Sequence, residues 1–259
     1  MSKIELHYKT IIDLAHLIQK RKVSSTEVTG AILKRINDLD SRYKSYATVM
    51  VDEAMQAARR ADDEMAKGNY KGLLHGVPIA VKDLCFTNGV RTMGGTKVME
   101  NLVPTFDSTV VTRLATSGAV LLGKLNLTEG AMGGYNSLLD VPLNPWNTDR
   151  WSGASSSGSG VATALGLCYG SLGSDTGGSI RFPAAACGTV GLKPTWGRVS
   201  RHGILALAES LDHVGPLTRS TADAAIMLMS IAGHDSNDPT TLPIPIDNIL
   251  FGIDKGVKG

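Results

Sequence analysis

The chain has 259 residues, 42% of them hydrophobic and 19% charged, with a formal net charge of +2. That length buries a sizeable core, and that balance excludes a disordered or fibrous protein and a dedicated nucleic-acid binder. The basic run Lys20-Arg21-Lys22 is too short to track phosphates and reads as a solvated helix end.

In chain order, Met1 to Lys20 mixes charges among apolar residues and reads as neither a signal peptide nor a membrane span. Thr10-Ile11-Ile12-Asp13 and Ser24-Ser25-Thr26-Glu27 have capping-box spacing. Each precedes an apolar stripe, Leu14, Leu17 and Ile18 after the first and Val28, Ile32 and Ile36 after the second. A third helix is predicted over Asp52 to Lys67, with Ala54, Met55, Ala58, Ala61 and Met65 on one face. Residues 1–70 are thus read as an N-terminal helical layer, and 71–259 as the core of the same domain.

Beyond Leu73 the texture changes. Val77 to Val81 and Ala119 to Leu122 read as short strands, and Ser108 to Ser117 as a helix that Gly118 terminates. Val161 to Leu167 reads as a helix entered from a serine-rich loop, followed by a short strand around Ser171 to Gly173. A last helix is predicted from Thr221 to Ile231, capped by Ser220 and stopped by Gly233, and a further strand over Ile249 to Ile253. This alternation predicts an α/β fold with helices on both faces of a sheet.

The chemistry centres on two glycine loops, Gly153-Ala154-Ser155-Ser156-Ser157-Gly158-Ser159-Gly160 and Asp175-Thr176-Gly177-Gly178-Ser179-Ile180-Arg181. Ser179 follows two glycines and precedes a short helix, so neighbouring amides can converge on an anion as a nest, within an apolar surround of Ile180, Phe182 and Pro183. A serine nucleophile also needs a base. His202 and His213 are available, but there is no GxSxG elbow to support a histidine triad. Lys82 is the alternative, because the apolar run Gly76-Val77-Pro78-Ile79-Ala80-Val81 would deliver its amine into the interior, where burial favours the neutral form.

Other signals are weaker. Gly118 to Leu125 almost matches a phosphate-binding loop but lacks the final hydroxyl, and Asn126-Leu127-Thr128 is read as a chance sequon. Cys85, Cys168 and Cys187 lack CxxC spacing, which predicts reduced thiols, with Cys168 and Cys187 in the core, and a cytoplasmic location. No spacing suggests a metal site.

The ordered motifs Gly76-Val77-Pro78, Asn144-Pro145-Trp146, the two serine loops, Gly191-Leu192-Lys193-Pro194-Thr195, Ser210-Leu211-Asp212 and Gly215-Pro216 closely resemble the amidase signature family of serine hydrolases. The resemblance covers roughly Leu73 to Arg219. It implies an α/β/α sandwich around a mixed sheet and a Ser-Ser-Lys triad, with Lys82 as base, Ser155 as relay and Ser179 as nucleophile. The two serines stand 24 residues apart, as in the family. It further implies a cis peptide at Ala154–Ser155, where alanine replaces the more usual glycine, and an oxyanion hole from the amides of Thr176, Gly177, Gly178 and Ser179. Asp175 and Arg181 are expected to support the loop.

The implied reaction is hydrolysis of a small-molecule carboxylic amide to acid plus ammonia or amine, without cofactor and without direct contact with nucleic acid or membrane. The alternatives are the glutaminase component of a tRNA-dependent amidotransferase, which would need partner subunits, or a catalytically incomplete fragment acting as a binding protein. Family members are usually much longer, so a C-terminal part that completes the sheet and acyl pocket is expected to be missing. A homodimer is also compatible with the sequence.

Overall fold

The computed structural model describes residues 6–256. Thr10 accepts the Asp13 N–H and starts α1 (Ile11–Gln19), while Ser24 and Glu27 form a reciprocal capping box on α2 (Ser25–Tyr43). Leu14, Ile18, Val28, Ile32 and Ile36 are buried, so both stripes face the core, with Leu17 at its margin. Lys20 caps the end of α1, and Arg21 and Lys22 turn away from it, exposed.

The N-terminal segment is not purely helical. Tyr46–Val49 forms β1 ahead of α3 (Val51–Ala66). Four residues are too few to show alternation, and only Tyr46 of the four is buried, so no periodicity marks the strand.

Next come β2 (Pro78–Lys82), α4 (Thr109–Thr116) and β3 (Val120–Leu125). Gly118 ends α4 at φ +78°, and a Cβ there would lie 2.4 Å from His75 Cδ2, so the turn needs glycine. The phosphate-loop lookalike is therefore a helix stop followed by β3. Asn126 of the sequon is equally structural, since its Nδ2 donates to the Lys44 and Tyr46 carbonyls at 2.8 and 3.1 Å.

The fifth helix, α5 (Ser157–Ala164), starts four residues before the predicted Val161 and ends before Leu167. Burial of every residue from Ser157 to Thr163 overrides the weak helix propensity of the Ser-Gly repeat. The remaining elements are β4 (Gly170–Asp175), α6 (Arg181–Cys187), β5 (Val190–Gly191), β6 (His213–Thr218) and α7 (Thr221–Ile231). Gly215 and Pro216, both poor strand formers, disguise β6 in the sequence. Ile249–Ile253 is not a strand. It folds into local turns, with Phe251 N–H donating to Asn248 O at 2.9 Å and Ile253 N–H to Leu250 O at 3.2 Å. Residues 257–259 lie outside the described residues.

The six strands are ordered β1-β3-β2-β4-β6-β5. β2 runs parallel to β3 and β4, and the other pairings are antiparallel. A Cβ on Gly170 would meet Met227 Sδ of α7, whereas one on Gly173 would meet Ser156 Oγ at the start of α5. Because residues an odd number apart in a strand face opposite ways, α7 and α5 cover opposite faces of this α/β/α sandwich. One apolar cluster runs from Ile11 to Ile231, so the N-terminal helices and the sheet share a core.

Arg219 fastens the N-terminal segment to that core, donating to the carbonyls of Thr163, Cys168, His7 and Lys9 at 2.8 to 3.1 Å. Truncation strands these acceptors, so Arg219→Ala is expected to destabilise the fold by roughly 3 kcal/mol in urea unfolding.

Candidate active site

Ile79, Ala80 and Val81 are all fully buried, so β2 carries Lys82 into the interior as the apolar run predicts. Lys82 is itself fully buried at the end of β2, which lies between β3 and β4. Its Nζ donates to Ser155 Oγ at 2.6 Å and to Ser174 Oγ at 2.9 Å. Burial pushes its pKa down to about 7, against the opposing pull of the Asp175 and Asp212 carboxylates. At neutral pH a large share of Lys82 is therefore unprotonated and able to accept a proton across the same contact.

Ser155 sits at the cis Ala154–Ser155 peptide and is almost completely buried. Ser156 N–H donates to Ser179 O at 3.2 Å, which seats the two glycine loops against each other. Ser179 is half-buried, and its hydroxyl makes no hydrogen bond among the described residues. The geometry thus joins Lys82 to Ser155 directly and brings Ser179 alongside through the backbone, leaving its Oγ free to face a substrate. Contacts of this kind commonly tighten only once substrate is bound.

The Asp175 carboxylate organises the second loop. It accepts the amides of Gly178 at 2.8 Å and Ile180 at 3.1 Å, and grips Arg181 bidentately through Nε at 3.0 Å and Nη2 at 2.9 Å. Burial raises its pKa, but the Arg181 guanidinium and these amides outweigh that and hold the carboxyl below its ordinary range. The Gly178 amide is thus engaged inside the loop. Among the described residues the amides of Thr176, Gly177 and Ser179 have no acceptor, so three of the four donors named from the sequence remain open.

Gly178 has φ +127°, and a Cβ on it would lie 2.5 Å from Phe182 Cε2. Phe182 is not part of an apolar interior. It is 52% exposed beside Trp151, because the first turn of α6 points it outward while Ile180 and Pro183 turn in. Asp175→Asn would break the Arg181 fork and turn an amide toward the loop N–H groups. An expected loss of roughly a hundredfold in kcat, together with a lowered Tm because buried donors lose their charged acceptor, is read by steady-state kinetics and thermal unfolding.

Neither His202 nor His213 hydrogen-bonds to Ser155 or Ser179 among the described residues. His213 spends Nδ1 on Asp175 O and Nε2 on Lys193 Nζ, and His202 lies against the Phe106 ring. Cys85, Cys168 and Cys187 are buried and unpaired. Among the described residues, no cluster of His, Cys, Asp and Glu could hold a metal, and no helix is long and apolar enough to cross a membrane.

The sequence matches the family described as Amidase over residues 27–258. The chain belongs to the amidase family. Its relatives include AmiD of Mycobacterium bovis, 55% identical over 95% of this chain and 51% of that protein. They also include a component of the glutamyl-tRNA(Gln) amidotransferase of Moorella thermoacetica, 46% identical over 99% of this chain and 53% of that protein. The peptide amidase of Stenotrophomonas maltophilia has a similar structure, with a TM-score of 0.88 and 38% identity over 92% of this chain and 50% of that one. The chain thus spans about half the length of the curated relatives it matches.

Two members of the site escape the motif reading. Ser174 holds the second contact of Lys82, and Asp212 accepts the Thr176 hydroxyl. Ser174 stands directly before Asp175 on β4, the strand beside β2, so pairing β2 with β4 would have found it. Asp212 lies within the Ser210-Leu211-Asp212 motif but carries no signal of its partner.

Proposed function

We propose that this chain carries the acyl-transfer site of an amidase that hydrolyses a carboxylic amide to acid plus ammonia or amine. The observation that carries this reading is the fully buried contact of 2.6 Å between Lys82 Nζ and Ser155 Oγ. Ser179 Oγ attacks the amide carbon while Ser155 takes its proton and passes its own to neutral Lys82. The developing oxyanion is received by the amides of Thr176, Gly177 and Ser179, with Gly178 held in reserve by Asp175. The proton then returns through Ser155 to the leaving nitrogen, and the C–N bond breaks. Water, deprotonated along the same path, releases the acid and frees Ser179. Every step uses groups of the chain and water, so the mechanism calls on no cofactor.

The likeness to an amidotransferase component supports a second reading, in which the amide is that of glutamine and partner subunits complete the enzyme. Ammonia release from a panel of amides, with glutamine among them, tests both. Hydrolysis by the chain alone supports the amidase. Turnover of glutamine only, and only with partner subunits present, supports the second reading. The buried, unpaired cysteines fit a cytoplasmic setting.

A further inference from the structure

Asp212 has no task in the reaction above, yet its carboxylate is only 8% exposed and fully used. Oδ1 accepts the Thr176 hydroxyl at 2.5 Å, and Oδ2 accepts the amides of Leu207 and Ala208 at 2.8 and 2.9 Å. Thr176 opens the loop that carries Ser179. Leu207 belongs to the wall of a cavity of about 560 Å³ that is also lined by Ile204, Leu205, Val214, Trp196 and Ser174, the last being the second partner of Lys82. One carboxylate therefore ties the amide-bearing loop to the wall of the cavity next to the base.

We propose that Asp212 is a positioning residue that clamps the Thr176 loop to the cavity wall, so that substrate seated against that wall meets the oxyanion donors in register. The inference rests on the acyl-transfer reading of the site. The two halves of the clamp have separable consequences. The Thr176 bond sets the placement of donors that act on the reacting carbonyl, and so kcat. The bonds to Leu207 and Ala208 shape the wall, and so KM. The Asp212 carboxylate and that of Asp175, at the end of β4 and paired with Arg181 of α6, both favour the protonated form of Lys82, while burial keeps the Cys85 thiol after β2 neutral. The ion pair of Asp83 and Lys124 lies at the neighbouring ends of β2 and β3. Removing the charge of Asp212 takes away one of the two carboxylates that favour protonated Lys82.

The test compares Thr176→Val, Thr176→Ser and Asp212→Asn on whichever amide the protein hydrolyses. Thr176→Val is expected to lower kcat roughly ten- to a hundredfold with KM almost unchanged, and Thr176→Ser to restore it. Asp212→Asn is expected to lower kcat, raise KM and move the acid limb of kcat/KM to lower pH, whereas Thr176→Val leaves that limb in place. A Thr176→Val enzyme with wild-type kcat, or a Thr176→Ser enzyme no better than it, overturns the clamp even if Asp212→Asn does not fold. Amide hydrogen exchange gives a readout that does not need turnover. Thr176→Val should speed exchange at Gly177 and Ser179, and unchanged exchange there overturns the clamp by itself. Full activity in Ser179→Ala would instead overturn the acyl-transfer reading, so the two failures are told apart.

Discussion

Ser179→Ala is expected to lower kcat by 10⁴-fold or more, on the order of the loss seen when a hydrolase nucleophile is removed, while leaving KM and Tm nearly unchanged. The Ser179 hydroxyl has no hydrogen-bond partner among the described residues, so its removal breaks no hydrogen bond of the fold. Its loss therefore falls on chemistry alone. Ser155→Ala should behave differently. It removes one of the two partners of a fully buried amine, so it combines a large loss of kcat with a measurable change in stability. Kinetics and thermal unfolding of the two variants, side by side, separate a nucleophile from a relay.

Lys82→Met is expected to cost about 10⁴-fold in kcat/KM and to change how stability depends on pH. In the unfolded chain the lysine titrates at its ordinary value, and in the folded one at about 7. Between those values the unfolded state binds more protons, so the contribution of Lys82 to stability grows as pH rises. It is fully present above the unfolded pKa and is lost as pH falls through about 7. The difference between wild type and Lys82→Met should follow that slope, up to about 1.4 kcal/mol per pH unit. The methionine variant gains most relative to wild type in acid, where wild type must bury a charge. Urea unfolding of both proteins from pH 5 to 10 checks the sign, because the other titrating groups largely cancel in the difference.

Features legible in the sequence are those in which a local signal and the tertiary structure agree. Ser220, Asp223 and Gly233 bracket α7 at both ends, and the unbroken apolar run of β2 places Lys82 inside. Features that stay hidden are decided by distant contacts. Burial between sheet and α6 makes Ser157 to Gly160 a helical turn despite its composition. β6 exists because β4 and β5 pair with it, although Gly215 and Pro216 argue against a strand. In the second loop the sequence names four amides, but which of them are open depends on a carboxylate three residues upstream of Gly178. Motifs thus single out candidate residues, while the partner of each N–H and hydroxyl is set by the fold.

In the proposed mechanism a buried, neutral Lys82 activates Ser179 through Ser155, so the nucleophile's reactivity becomes a function of the lysine's protonation. The decisive quantity is the rate at which a fluorophosphonate labels the protein, followed by intact mass and peptide mapping from pH 5 to 10. One adduct is expected, on Ser179, forming at a rate that rises with pH and levels off above about 7, and collapsing in Lys82→Met. An adduct elsewhere, a rate still climbing toward the pKa of an ordinary lysine, or labelling that survives Lys82→Met would rule this activation out.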